Sequence, residues 1–311
     1  MINFKYLLID KNTNLRSAWR AGIFLFAFIF VSVILATVNQ VAFAAAGLGI
    51  RNNSSLILVV NSVLSLIPAI VIGWICGKWL ENLPYKALGA SFTKGWLKHL
   101  VVGCVAGAVT LGLSVLIAFA LGGERFVLNL DEGANAVASS LVISFLVFAV
   151  AAAFEESLFR GYILQTFERN GLAWLAILLT SLFFGAVHVG NPNAGSISTL
   201  NTILAGIWFS IAYLKTRDLW FVWGLHLMWN FTQGSIFGIE VSGLTEITSN
   251  PLLKEIDSGP TWLTGTTYGI EGGIACTIAI IISTIAIQFI PILKPDPDLL
   301  QLNDKTNHIE T

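Results

Sequence analysis

Apolar residues fall into long runs at roughly 20–46, 56–77, 100–121, 136–167, 172–189, 197–214, 219–237 and 270–292, and the intervening stretches collect most of the charge. A helix that crosses hydrocarbon needs about 20 predominantly apolar residues. The pattern therefore predicts an all-α polytopic membrane protein, a bundle of eight transmembrane helices. Ala42-Phe-Ala44 resembles a signal-peptide cleavage site. The first apolar run, however, far exceeds the roughly 7–15 residues of a signal segment, so it is read as a retained helix.

Composition strengthens this picture. Of 311 residues, 55% are hydrophobic and 11% charged, against about 25% charged in soluble domains. Eight spans leave room for short loops but not for a second, soluble domain, so residues 1–311 are expected to form a single membrane domain. The net charge of −1 has no clustered basic excess, which excludes a nucleic-acid partner. Cys76, Cys104 and Cys276 each lie in an apolar run without CxxC spacing and read as packing residues. With His308-Ile-Glu-Thr as its last residues, the chain is expected to lack a prenylation box of its own.

On alternate sides of eight spans, 14 of the 17 Lys and Arg residues gather on one side, leaving Arg51, Arg125 and Lys254 on the other. Both termini are accordingly expected in the cytoplasm, with the 238–268 loop outside. Trp19, Trp74, Trp79, Trp96, Trp174 and Trp220 fall near the cytoplasmic ends, as an interfacial aromatic belt requires. Gly103 and Gly107 have the small-xxx-small spacing that lets another helix approach closely.

A charged side chain in hydrocarbon costs about 2.5–3.5 kcal/mol even on lenient scales, so each one demands a reason. Three spans are singled out: Glu155, Glu156 and Arg160 on the fourth, His188 on the fifth, His226 and Asn230 on the seventh. At about 1.5 Å per residue, Glu155 and His188 lie at similar depth, and His226 and Asn230 share a helix face at i, i+4. Neighbouring residues diverge by about 100°, so the two glutamates need different roles. Glu156 and Arg160 have the i, i+4 order of an internal ion pair that supports the helix. Glu155, without that partner, suits a general base. Phe184 reads as packing, while His99 at a membrane edge and His308 in the polar tail read as non-catalytic.

Glu-Glu-x-x-x-Arg at 155–160, Phe-x-x-x-His at 184–188 and His-x-x-x-Asn at 226–230 resemble, in order and on separate spans, the three motifs of the CPBP family. That family comprises the type II CAAX prenyl endopeptidases (Rce1-like) and bacteriocin-processing or self-immunity proteins. The resemblance covers about residues 130–235, a catalytic core within the membrane domain. It implies an intramembrane endopeptidase acting on a membrane-associated or lipidated peptide or protein, in a lipid bilayer, that of the cell membrane. Glu155 would activate water with His188, and His226 and Asn230 would stabilise the oxyanion.

The family is often classed as metalloprotease, and His188, His226 and Glu155 could supply a two-His-one-Glu zinc set. A His-Glu-x-x-His pair is lacking, so such a site would need three separate helices. The favoured reading is therefore water activation with no obligatory metal or cofactor. Two alternatives stand beside it. One is a non-catalytic scaffold or immunity protein; the other is a proton-coupled transporter, against which the lack of an internal repeat counts.

Overall fold

The computed structural model describes residues 8–9, 15–47, 54–129, 133–244, 247 and 249–304. Lys5, Lys11, Arg51, Lys305 and His308 lie outside the described residues. The expected apolar runs are occupied by α1 (Ser17–Ala45), α2 (Ser54–Glu81), α3 (Trp96–Ala120), α4 (Ala134–Glu156), α5 (Ala173–His188), α6 (Ser196–Thr216), α7 (Leu219–Phe231) and α8 (Ile274–Phe289). A short polar helix, α9 (Pro297–Asp304), follows. The chain is that of an integral membrane protein. Among the described residues, five helical stretches are long and apolar enough to cross a membrane: Ser17–Ala45, Ile57–Glu81, Trp96–Ala120, Ala134–Glu168 and Ser196–Thr216.

The remaining expected spans are shorter. Helices α5 and α8 have 16 residues each, about 24 Å of rise against roughly 30 Å of hydrocarbon. Residues 270–273, expected inside the last span, form a tight turn instead. Gly269 there has φ +86°, and a Cβ at Gly273 would run into the Leu263 carbonyl, so the turn needs glycine at both positions. Two helices change winding without breaking. The end of α4 passes into a π turn at Ser157–Ile163 and a last α turn at Leu164–Glu168. Likewise α7 runs on as a π turn at Thr232–Phe237. Both π turns flank the site described below, where such insertions are commonly found.

The glycine spacing on α3 works as expected. A Cβ at Gly103 or Gly107 would run into the carbonyl oxygens of Phe221 or Leu225 on α7, and one at Gly224 on α7 would run into Leu100 of α3. The two backbones are in contact, and that contact sets the height of the His226 helix.

One element was not expected in an all-α chain. Strands β1 (Glu124–Leu128) and β2 (Leu253–Asp257) pair antiparallel, with Glu124 opposite Asp257 and Phe126 opposite Glu255. Opposed residues share a face of the ribbon, so three carboxylates gather on one side. Glu124 is fully buried, and neither of its carboxylate oxygens has a partner among the described residues. Burial, followed by the charges of Glu255 and Asp257, pushes its carboxyl up to about 8. Burial, Glu240 and Asp257 raise Glu255 to about 8 as well.

These carboxyls hold protons in the folded ribbon at pH values where the unfolded chain has released them, so stability falls as pH rises. Their contribution is complete below about pH 4, the unfolded range, and is lost as pH passes the folded value. Amides of 124–128 and 253–257 should therefore lose hydrogen-exchange protection, relative to the helices, between about pH 5 and pH 9. The Glu124→Gln variant should flatten that dependence. A ribbon equally protected at both ends of the range would contradict this account.

Candidate active site

The end of α4 reads Ala151-Ala152-Ala153-Phe154-Glu155-Glu156. Small residues there let α2, α5 and α7 close around the two carboxylates, which the helix turns in different directions. The Glu155 side chain is 25% exposed, to a cavity, whereas that of Glu156 is 1% exposed. The cavity has a volume of about 220 Å³, and Glu155, His188, His226 and Asn230 all line it. The four groups expected to converge in one cavity all border this one.

Glu156 is the hub beneath the cavity. Its carboxylate lies 3.1 Å from Arg160 Nη1, the expected i, i+4 ion pair. It also accepts from His226 Nδ1 at 2.8 Å, a contact not anticipated from the sequence. Arg160 is fully buried. Its Nη2 donates to the Gly206 carbonyl of α6 at 2.9 Å, and its guanidinium lies 5.1–5.6 Å from the rings of Phe159, Phe184 and Phe209. A charge removed from water is tolerated when it is paired and hydrogen-bonded, and here ionic, backbone and aromatic partners of the two Nη groups share that task, while Nε has no partner among the described residues.

The two histidines are presented alike. His188 Nδ1 lies 2.7 Å from the Phe184 carbonyl one turn back. A carbonyl only accepts, so Nδ1 carries the proton and Nε2 is left for the cavity. Phe184 packs as expected, its ring 4.7 Å from that of His188 and edge-on to that of His226. With Nδ1 of His226 engaged by Glu156, its Nε2 lies 3.8 Å from Glu155 Oε2. Asn230 lines the cavity one turn beyond His226.

Glu271 is a second carboxylate in the cavity wall. It accepts from the Trp229 indole at 3.1 Å, and from the backbone N–H and hydroxyl of Ser242 at 2.6 and 2.8 Å. These bonds tie the 241–244 segment to α7 beside Asn230. The signal was in the sequence: Glu271 sits inside the last apolar run, where the cost of burying charge flags it as it flagged Glu155. His99, expected only as an edge residue, is buried and paired with Asp218, whose carboxylate also caps α7 through the N–H groups of Trp220 and Phe221.

Zinc was a candidate occupant. Among the described residues, no group of three or more His, Cys, Asp or Glu side chains is placed to hold a metal ion. The donor set does not assemble as a zinc cage, and no step is derived through one.

The hub makes a measurable demand. Glu156→Gln leaves Arg160 buried without its counter-charge and His226 without its anchor, and should destabilise the fold by about 3–5 kcal/mol. Glu155→Gln, facing the cavity, should change the melting temperature little. Thermal melts of the two variants in one detergent make the comparison, and equal melting temperatures would remove Glu156 from its role as hub.

No curated protein matches the chain. Residues 137–232 match the family model described as type II CAAX prenyl endopeptidase Rce1-like. The matched stretch contains Glu155, Glu156, Arg160, His188, His226 and Asn230, and the description does not single out the bacteriocin-processing branch. Over residues 137–232, the chain carries an Rce1-like domain.

Proposed function

We propose that the protein is an intramembrane endopeptidase that hydrolyses a peptide bond of a membrane-associated or lipidated peptide or protein. The observation that carries this reading is the cavity lined by a partly exposed glutamate, two histidines each held at Nδ1, and an asparagine. Glu155, with His188 Nε2 as second acceptor, orients a water and takes its proton as the oxygen attacks the scissile carbonyl carbon. The developing oxyanion accepts from Asn230 Nδ2–H and His226 Nε2–H. This role requires the imidazolium form of His226, which donates from Nδ1 to Glu156 and from Nε2 to the oxyanion. Collapse of the tetrahedral adduct breaks the C–N bond, and protonated Glu155 returns its proton to the leaving amine. The mechanism is written without a metal, since among the described residues no group of three or more His, Cys, Asp or Glu side chains is placed to hold one.

The peptidase reading is tested with purified full-length protein and a fluorogenic prenylated peptide ending in a CAAX box. Wild type should cleave it, and Glu155→Gln should lose at least about a hundredfold in rate. Exhaustive chelation by phenanthroline should leave the wild-type rate unchanged. Stoichiometric zinc, with activity lost on chelation and restored by zinc, would overturn the metal-free mechanism. If neither the peptide nor any membrane protein is cleaved in a proteome comparison of wild type with Glu155→Gln, the scaffold reading replaces this one.

We further propose that the eight apolar helices all cross the cell membrane, with α5, α7 and α8 completed by irregular backbone at their outer ends. Both termini then face the cytoplasm, a placement supported by the basic residues gathered on that side. Cysteines introduced at Asn12 or Asn303 should resist membrane-impermeant reagents in intact cells. Labelling there without permeabilisation would reverse the orientation.

A further inference from the structure

A second cavity, of about 400 Å³, opens at the lysine-rich end of the bundle, between the start of α3 and the link from α8 to α9. Its walls carry Lys98, His99, Lys294 and Asp296. The two lysines are exposed and make no ion pair among the described residues, so their charge is unspent. Asp296 is occupied otherwise: its Oδ1 accepts from the N–H of Asp298, and its carbonyl accepts from Leu299 and Leu300, which caps α9. The His99 side chain is 4% exposed and held at Nδ1 by Asp218, so its Nε2 is the ring nitrogen left to the cavity. Thr93 also lines the cavity, and its hydroxyl oxygen is buried without a partner among the described residues. The first turn of α3 has no side-chain cap, and it adds the positive end of a 25-residue helix.

Two unpaired ammonium groups, a held imidazole, an orphaned hydroxyl and an uncapped helix start describe a receptor for a phosphate-bearing anion. What lies beside the cavity selects its source. Leu97, Phe289 and Ile292 are all large apolar side chains exposed on the outer surface of the bundle, a skirt on which acyl chains can lie. Trp96 and Trp220, in ring contact, mark the headgroup level beside them. We propose that this cavity binds the headgroup of an anionic phospholipid from the leaflet at the lysine-rich end. The site stands apart from the Glu155 cavity. Through Asp218, which holds His99 and caps α7, an occupied headgroup pocket would steady the base of the helix that carries His226 and Asn230.

The test uses the purified full-length protein in detergent, with phosphatidylglycerol and phosphatidylcholine at equal concentration, read by native mass spectrometry. Phosphatidylglycerol should be retained in preference. In the Lys98→Gln/Lys294→Gln double variant, both substitutions being at exposed positions, its affinity should fall at least about tenfold. Lys94→Gln, a charge change on the same face but outside the cavity, should bind as wild type. A melt without lipid checks that the double variant is folded. Equal retention of the two lipids, or equal losses in the double variant and Lys94→Gln, would overturn the proposal in favour of diffuse lipid contact. If inorganic phosphate at the same concentration displaces phosphatidylglycerol and raises the melting temperature as much, the ligand is a free phosphate, and the lipid assignment fails.

Discussion

Glu156 is the side chain on which the architecture depends. A carboxylate and a guanidinium at 1% and 0% side-chain exposure in an apolar bundle are tolerable only together. Their further contacts reach three other helices: His226 on α7, the Gly206 carbonyl on α6, and the ring of Phe184 on α5. The helices that carry the cavity are therefore registered against one buried pair. Because Glu155 precedes Glu156 on the same turn, fixing Glu156 inward fixes Glu155 toward the cavity, about 100° around the helix. Adjacent residues thus provide the group that organises the site and the group that faces the cavity.

Registration also needs backbones that approach closely, since apolar side chains gain little by leaving lipid for each other. Gly103, Gly107 and Gly224 bring α3 against α7, and Gly206 brings α6 so near Ser181 of α5 that a Cβ there would clash with it. Gly206 links the two effects: its missing side chain permits the approach, and its carbonyl accepts from Arg160.

The sequence made these features unequally legible. Polar residues in long apolar runs announce themselves by cost, which is why Glu155, Glu156, Arg160, His188, His226 and Asn230 could be singled out, and i, i+4 spacing foretold the Glu156–Arg160 pair. Contacts between helices leave no such mark. The bond from His226 to Glu156 and the pair of His99 with Asp218 join residues 70 and 119 positions apart, and no local rule connects them. Between residues 238 and 273, hydropathy is mixed and glycines are frequent, so no period was available to reveal the ribbon or the turns that roof the cavity. Glu271 was the exception, and treating residues 270–292 as uniformly apolar concealed it.

That roof explains how short helices serve a membrane site. With 16 residues, α5 delivers His188 at its last turn, and the chain then leaves the helix beside the cavity. Irregular backbone at such depth is tolerated where protein buries it or where it faces a polar cavity. Here Asn191 donates to the Ser242 carbonyl, Glu271 binds Ser242 and Trp229, and Asn201 donates to the carbonyls of Glu271 and Gly273 while accepting from Thr277. A longer α5 would carry regular helix past His188 and displace those turns, so the shortness of α5 and α8 is what leaves room for a polar wall opposite Glu155. These turns supply a polar lining in which the second carboxylate, Glu271, is taken up by Trp229 and Ser242, and Glu155 is left facing the cavity.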